Sequence, residues 1–132
     1  MGNLYYLALV HKDEDSAFGI EFPDVEGVFS AADEESDIVS NAIEALRLFA
    51  EDQPLPEPRG LAQLHADPAV RQALAAGAFL VRIPLIENDG RTERINISLQ
   101  SGMIRAIDAA AKDKGMSRSS FIAEAARSAI EK

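Results

Sequence analysis

The stretch "RTERINISLQ", Arg91 to Gln100, decides how the last third of this chain is read. From Arg94 onward polar and apolar residues alternate, through Ile95, Asn96, Ile97, Ser98 and Leu99, and a period of two marks a strand with one buried face. The other face is unusual. Surface strands commonly carry Lys, Glu and Thr, whereas Arg, Asn and Ser side chains can reach the edges of nucleic-acid bases. Taken alone this would still be an ordinary solvated face, and the formal charge of -9 argues against a polyanionic partner, which is bound by displacing its counterions with Lys and Arg.

The distribution of charge removes that objection. Residues 1–58 hold 14 acidic side chains against 2 basic ones, a net -12; residues 59–90 hold 3 of each; residues 91–132 hold 8 basic and 5 acidic, a net +3. An acidic front joined to a mildly basic tail predicts two modules with different partners. At 132 residues the chain has room for two small domains, and 47% hydrophobic with 27% charged residues is a normal globular composition. No apolar run approaches the roughly eighteen residues that span a bilayer, and the start lacks the basic and small-residue features of a secretory signal, so a cytoplasmic protein that does not enter membranes is expected. Without cysteine there is no disulfide framework and no thiolate metal site.

The front reads as a β-meander followed by a helix. "NLYYLALVH", "AFGIEF" and "VFSAA" are strand-like runs separated by the polar "KDEDS" and the turn "PDVEG", and connections this short favour antiparallel neighbours. Tyr5 and Tyr6 point to opposite faces, so one belongs to the core. From Asp33 the period lengthens: Val39, Ala42, Ile43, Leu46, Phe49 and Ala50 form a helical stripe, with Asp33 or Ser36 available as N-cap. "QPLPEPRG" stops it, because proline lacks the N–H that a helix uses. "DPAVRQALAAG" predicts a shorter helix with Asp67 as N-cap, Pro68 in the first position and Gly77 as the stop. "AFLVRIPLI" is a continuous apolar run, as in a strand covered on both faces or inserted in mid-sheet, and is assigned as the fourth strand. "ENDGRTE" is the linker, which places the domains at 1–88 and 89–132.

After Leu99 the pattern is helix, turn, helix. Ile104, Ile107, Ala110 and Ala111 form one stripe, Gly115 suits a left-handed cap, Ser117 or Ser119 can open the next helix, and Phe121, Ile122, Ala125, Ala129 and Ile130 line it. One strand and two helices in about forty residues cannot bury a core alone. Antiparallel pairing of two such strands would set Ile95, Ile97 and Leu99 of both chains over four helices, with Ile104, Ile107, Phe121 and Ile122 completing the dimer core. The same pairing leaves both copies of Arg94, Asn96 and Ser98 on the uncovered face.

"RINISLQSGMIRAIDAAAKDKGMSRSSFIAEAARSAIEK" resembles a ribbon-helix-helix DNA-binding domain in its strand alternation and in the "GMSRSSFI" opening of the second helix. The resemblance implies that the two-stranded ribbon enters the major groove and that Arg94, Asn96 and Ser98 contact bases. Arg pairs bidentately with guanine, Asn with adenine, and Ser suits several bases. Ser117, Arg118 and Ser119, at a helix N-terminus with its free N–H groups and dipole, would meet a phosphate.

The front, through "YYLALVHKDEDSAFGIEFPDVEGVFSAADEESDIVSNAIEALRLF" and the following "PLPEP", resembles the HicB antitoxin family. That resemblance implies an α+β chain whose front is a partial ribonuclease-H-like antiparallel sheet with a packed helix. It implies an antitoxin that binds and inhibits a small, mRNA-cleaving HicA ribonuclease and represses its own operon through the DNA-binding tail. Val28 departs from the family turn, where a small or polar residue commonly follows the glycine. Tyr5, Asp13, Glu14, Asp15, Glu21 and Asp24 are the candidates to face a basic toxin. The partners expected are thus the toxin, operator DNA and a second copy, and a front that self-associates would make a tetramer.

Catalysis is not expected. Ribonuclease-H chemistry needs carboxylates converging on two cations, and "DED" on a turn with Glu21 and Asp24 nearby does not preorganise them. No zinc-protease, nucleophile-elbow, Walker or dinucleotide motif is present, no cofactor or metal is called for, and His11 and His65 stand apart. The competing reading is a stand-alone ribbon-helix-helix regulator whose front senses a ligand or only oligomerises.

Overall fold

The computed structural model describes residues 5–86 and 91–131. Contacts divide the chain into two compact units, Met1–Ile86 and Glu87–Lys132. The first is a four-stranded antiparallel sheet, β1 (Tyr5–Lys12), β2 (Phe18–Glu21), β3 (Phe29–Ala32) and β4 (Phe79–Pro84), in the order β3-β2-β1-β4. The second holds two helices, so the fold class is α+β.

β1 is the strand covered on both faces. Tyr6, Ala8 and Val10 enter the main core with Ile20, Phe22, Val25 and the helix α1 (Ile38–Asp52), while Leu7, on the opposite face, joins Leu64 and Val70 in a second, smaller core. The "AFLVRIPLI" run is the fourth strand as expected but stands at the sheet edge, not in mid-sheet. Its apolar content is used at one end, where Ile83, Pro84 and Leu85 are buried, and an edge position tolerates the proline that an inner strand does not.

Two expectations about α1 are corrected. Ile38 is buried with Ala42, Ile43 and Leu46, whereas Ala50 is exposed. Neither Asp33 nor Ser36 caps the helix: a 3-10 turn at Glu35–Asp37 leads into it, opened by the bond from Asp37 N–H to the Glu34 carbonyl (3.0 Å), and tightens the entry without a side-chain cap. Val28 is itself a residue of the main core.

Tyr6 is the core tyrosine of the pair, and its buried hydroxyl donates to the Pro56 carbonyl (2.6 Å), fastening the proline-rich connection to the sheet. That connection also contains a short helix, α2 (Leu61–His65), whose five residues are too few to show an apolar period in the sequence. Helix α3 (Pro68–Ala75) follows the predicted chemistry. The Asp67 carboxylate accepts from Ala69 N–H, Pro68 takes the first position, and Gly77 at φ 107° ends the helix with paired bonds from Ala78 N to Ala73 O and from Gly77 N to Leu74 O. α2 and α3 pack over Leu7 of β1 and Leu80 of β4, while Phe29 of β3 stays 70% exposed.

In the second unit, α4 (Ser101–Asp113) and α5 (Arg118–Ile130) form a helical hairpin. Gly115, at φ 67°, closes α4 through bonds from Met116 N to Ala111 O (2.8 Å) and from Gly115 N to Lys112 O (3.1 Å). Ala111 is its one buried apolar residue among those described, too little for a core. The strand expected at Arg94–Leu99 forms no ladder, since a strand needs a hydrogen-bonded neighbour and the described residues of this unit offer none. Among the described residues no helix is long and apolar enough to cross a membrane.

Candidate functional site

The segment 91–100 is exposed throughout and runs directly into α4. Its apolar residues are as open as its polar ones, with Ile95 75%, Ile97 57% and Leu99 40% exposed. Three large aliphatic side chains at alternate positions in water make a row that needs a cover. Arg94, Asn96 and Ser98 occupy the intervening positions. Of the other residues expected in a dimer core, Ile104, Ile107, Phe121 and Ile122 are all half-buried along the α4–α5 hairpin, and Met103 is 54% exposed beside them.

At the start of α5, Ser117 is the cap, its hydroxyl accepting from Ser120 N–H (3.1 Å) and lying 3.0 Å from the Ser120 hydroxyl. Ser119 is exposed on the first turn. Arg118 is engaged: its Nε and Nη2 donate to the two carboxylate oxygens of Asp108 on α4, each at 2.8 Å. Through those bonds the guanidinium holds the Asp108 carboxyl below its ordinary range, and the carboxylate raises Arg118 in turn. A phosphate at this helix end therefore meets backbone N–H groups and a guanidinium that already has a counterion.

In the first unit the six predicted partner-facing residues fall in four places. Asp13, Glu14 and Asp15 sit exposed at the tip of the β1–β2 hairpin, with Asp15 at φ 63° and the Ser16 hydroxyl donating to Asp13 O and accepting from Asp13 N. Tyr5 lies at the other end of β1, eight residues from Asp13 or roughly 26 Å away. Its ring carries the Arg82 guanidinium at 4.0 Å, beside a cleft lined by Leu7, Leu61 and Leu80. Glu21, half-exposed, lies 3.1 Å from His11 Nε2 on β1.

Asp24 is turned inward. Its side chain is 6% exposed and both oxygens are used within the chain, by Arg59 Nε and by Arg59 N–H (2.8 Å), so it offers a partner no free carboxylate edge. Arg59 also reaches Asp67 (3.1 Å). The Asp24 hydrogen bond raises the arginine, and the Asp67 carboxyl is held low first by Ala69 N–H and then by Arg59. Arg59 and Arg82 carried no local signal in the sequence, because their partners lie on other elements. Among the described residues no group of three metal-ligating side chains comes together.

The chain can now be set beside known proteins. A crystal structure of the antitoxin HicB from Burkholderia pseudomallei is similar at 28% identity and TM-score 0.52, covering 96% of both chains. The crystal structure of antitoxin HicB3 is similar at the same identity and TM-score over 96% of this chain and 97% of the other. A chain of a HicA3 and HicB3 toxin-antitoxin complex is 28% identical with TM-score 0.50, covering 63% of this chain and 99% of its own. No curated protein matches the sequence. The HicB_like antitoxin of bacterial toxin-antitoxin system family matches residues 6–126, across both units. The chain belongs to this family of HicB-like antitoxins.

Proposed function

We propose that this antitoxin neutralises a HicA-like, mRNA-cleaving ribonuclease through residues 1–88 and represses its own operon through residues 89–132. The observation that carries the DNA-binding half is the exposed alternation of 94–99. A second copy pairing antiparallel with this segment would cover Ile95, Ile97 and Leu99 and supply the ladder each strand lacks. Both copies of Arg94, Asn96 and Ser98 then face a major groove, and the α5 N-termini at Ser117, Arg118 and Ser119 face the phosphates beside it.

The toxin-binding half is supported by family membership and by electrostatics. Residues 1–86 carry 15 acidic and 5 basic side chains, net -10, which attracts a basic RNA-binding toxin and is repelled by DNA. Residues 87–132 carry 8 basic and 7 acidic side chains, net +1, so the second unit lacks that repulsion from DNA.

The test is to make Arg94→Ala and Asn96→Ala in the full chain. Operator binding in a gel-shift titration should be lost, because each bidentate base contact contributes about 1–3 kcal/mol and appears twice in the dimer. Sedimentation mass and inhibition of mRNA cleavage by the toxin should stay at wild-type levels. Loss of inhibition in these variants would show that the two functions are not divided between the units in this way.

A further inference from the structure

The sheet face on the α2–α3 side is only half covered. The pairing register places Leu9, Glu21 and Phe29 in one row across β1, β2 and β3, and His11, Gly19 and Ala31 in the next. Leu9 is buried, Glu21 is half-exposed and Phe29 is 70% exposed, so the row runs from core to open water within three strands. Between them lies a shallow groove of about 340 Å³, walled by Ala69 and Val70 of α3 on one side and by the Glu26–Gly27 turn at its end. Its remaining charged side chain, Asp67, is held by Arg59 and by its own helix. Glu26 is exposed, Glu21 is half-exposed with one oxygen 3.1 Å from His11 Nε2, and among the described residues no lysine or arginine lines the groove.

We propose that this uncovered half of the sheet, with Phe29 on its edge strand and Glu26 and Glu21 beside it, is where the basic toxin docks. The occupant is a lysine or arginine side chain of the toxin, its aliphatic stem laid on the Phe29 ring and its charge on Glu21 and Glu26. Three terms act together at such a site: apolar burial of the ring, attraction of a cation to its face, and pairing with two carboxylates. A large aromatic ring in a rim of charge is the composition of an interface hot spot. The inference rests on the antitoxin reading above and assigns it a surface.

The test measures binding of the full chain to a HicA-like toxin, by titration calorimetry. Phe29→Ala and Glu26→Lys should each weaken binding by roughly tenfold or more, the loss of a central interface contact. Glu44→Lys is the control: it makes the same change of charge at an exposed position on α1, which covers the other face of the sheet, and should stay within about threefold of wild type. Because Phe29 is exposed in the free chain, its truncation leaves the core intact, which the thermal melt of each variant checks. Wild-type affinity in Phe29→Ala and Glu26→Lys would overturn the inference while leaving the antitoxin reading standing. Equal weakening by Glu44→Lys would also overturn it, since bulk charge would then explain the effect. A drop in oligomeric mass of Phe29→Ala with unchanged toxin affinity would make the face a contact between copies and overturn it as well. Absence of binding by the wild-type chain would remove the antitoxin reading and this surface together.

Discussion

Arg59 joins two carboxylates from different parts of the first unit, Asp24 at a distance of 35 residues and Asp67 at 8. The Asp24 side chain is 6% exposed, and a carboxylate removed from water is tolerable only when its oxygens are paired. Arg59 supplies both a side-chain and a backbone donor to it, and so pins the proline-rich connection to the β2–β3 turn. Arg59→Met keeps the aliphatic stem and the backbone N–H but deletes the guanidinium. The first unit should lose about 2 kcal/mol, the range for a hydrogen bond to a charged group, reduced because the arginine itself is partly solvated. A urea titration checks this as a lower midpoint with unchanged slope. An unshifted midpoint would mean that water replaces the guanidinium at no cost.

The ends of α3 and the end of α4 were legible in the sequence because their signals are local, whereas α2 is too short for an apolar period and α1 is entered through a 3-10 turn without a side-chain cap. Asp67, Pro68 and Gly77 mark both ends of α3, and Gly115 the end of α4, because each acts on backbone groups within a few residues. What could not be read depends on packing between elements. That β4 is an edge strand follows from which strand β1 selects on its other side, and the exposure of Phe29 follows from α2 and α3 covering only half the sheet. Of the six candidate toxin-facing residues, sequence alternation and turn chemistry found the exposed hairpin tip. They could not show that Asp24 is consumed by Arg59.

The clamp between α4 and α5 belongs to this same scale. Asp108 and Arg118 are ten residues apart and meet only because the Gly115 turn folds one helix back on the other. The pair holds the Asp108 carboxyl below its unfolded value, so the folded helices bind a proton less readily than the unfolded chain does. Its stabilisation is therefore fully present above the unfolded value of about 3.9 and is lost as the pH falls through the lower folded value. Asp108→Asn should lower the melting temperature of the second unit at neutral pH, and the gap to wild type should close as the solution is acidified below about pH 4. The same variant frees Arg118 for phosphate, so its operator affinity should rise at low salt and its dependence on salt should steepen by about one phosphate contact per copy, two in the dimer. A melting gap that persisted to low pH would show that the asparagine acts through packing instead of charge.

At the scale of the whole molecule, stability and recognition are distributed unequally. The first unit buries a core of its own around β1 and α1, whereas the second has Ala111 as its buried apolar residue among those described and leaves Ile95, Ile97 and Leu99 in water. Under the function proposed here, the second unit is completed by another copy, so folding of the DNA-reading module is an association and depends on concentration. Ile97 sits at the centre of the apolar row, and in an antiparallel pair its carboxylate replacement would meet its own twin across the ribbon, with two charges desolvated over the helices. Ile97→Asp should therefore abolish the dimer contact of the second unit, reduce its helical signal at micromolar concentration and eliminate operator binding. Toxin inhibition should persist, because the core of the first unit contains none of the residues involved. Sedimentation, circular dichroism and gel shift on the full chain read the first three effects, and an mRNA-cleavage assay reads the fourth. If Ile97→Asp still bound its operator as wild type does, the apolar row would not be the dimer seam, and Arg94, Asn96 and Ser98 would lose the scaffold that presents them as a pair.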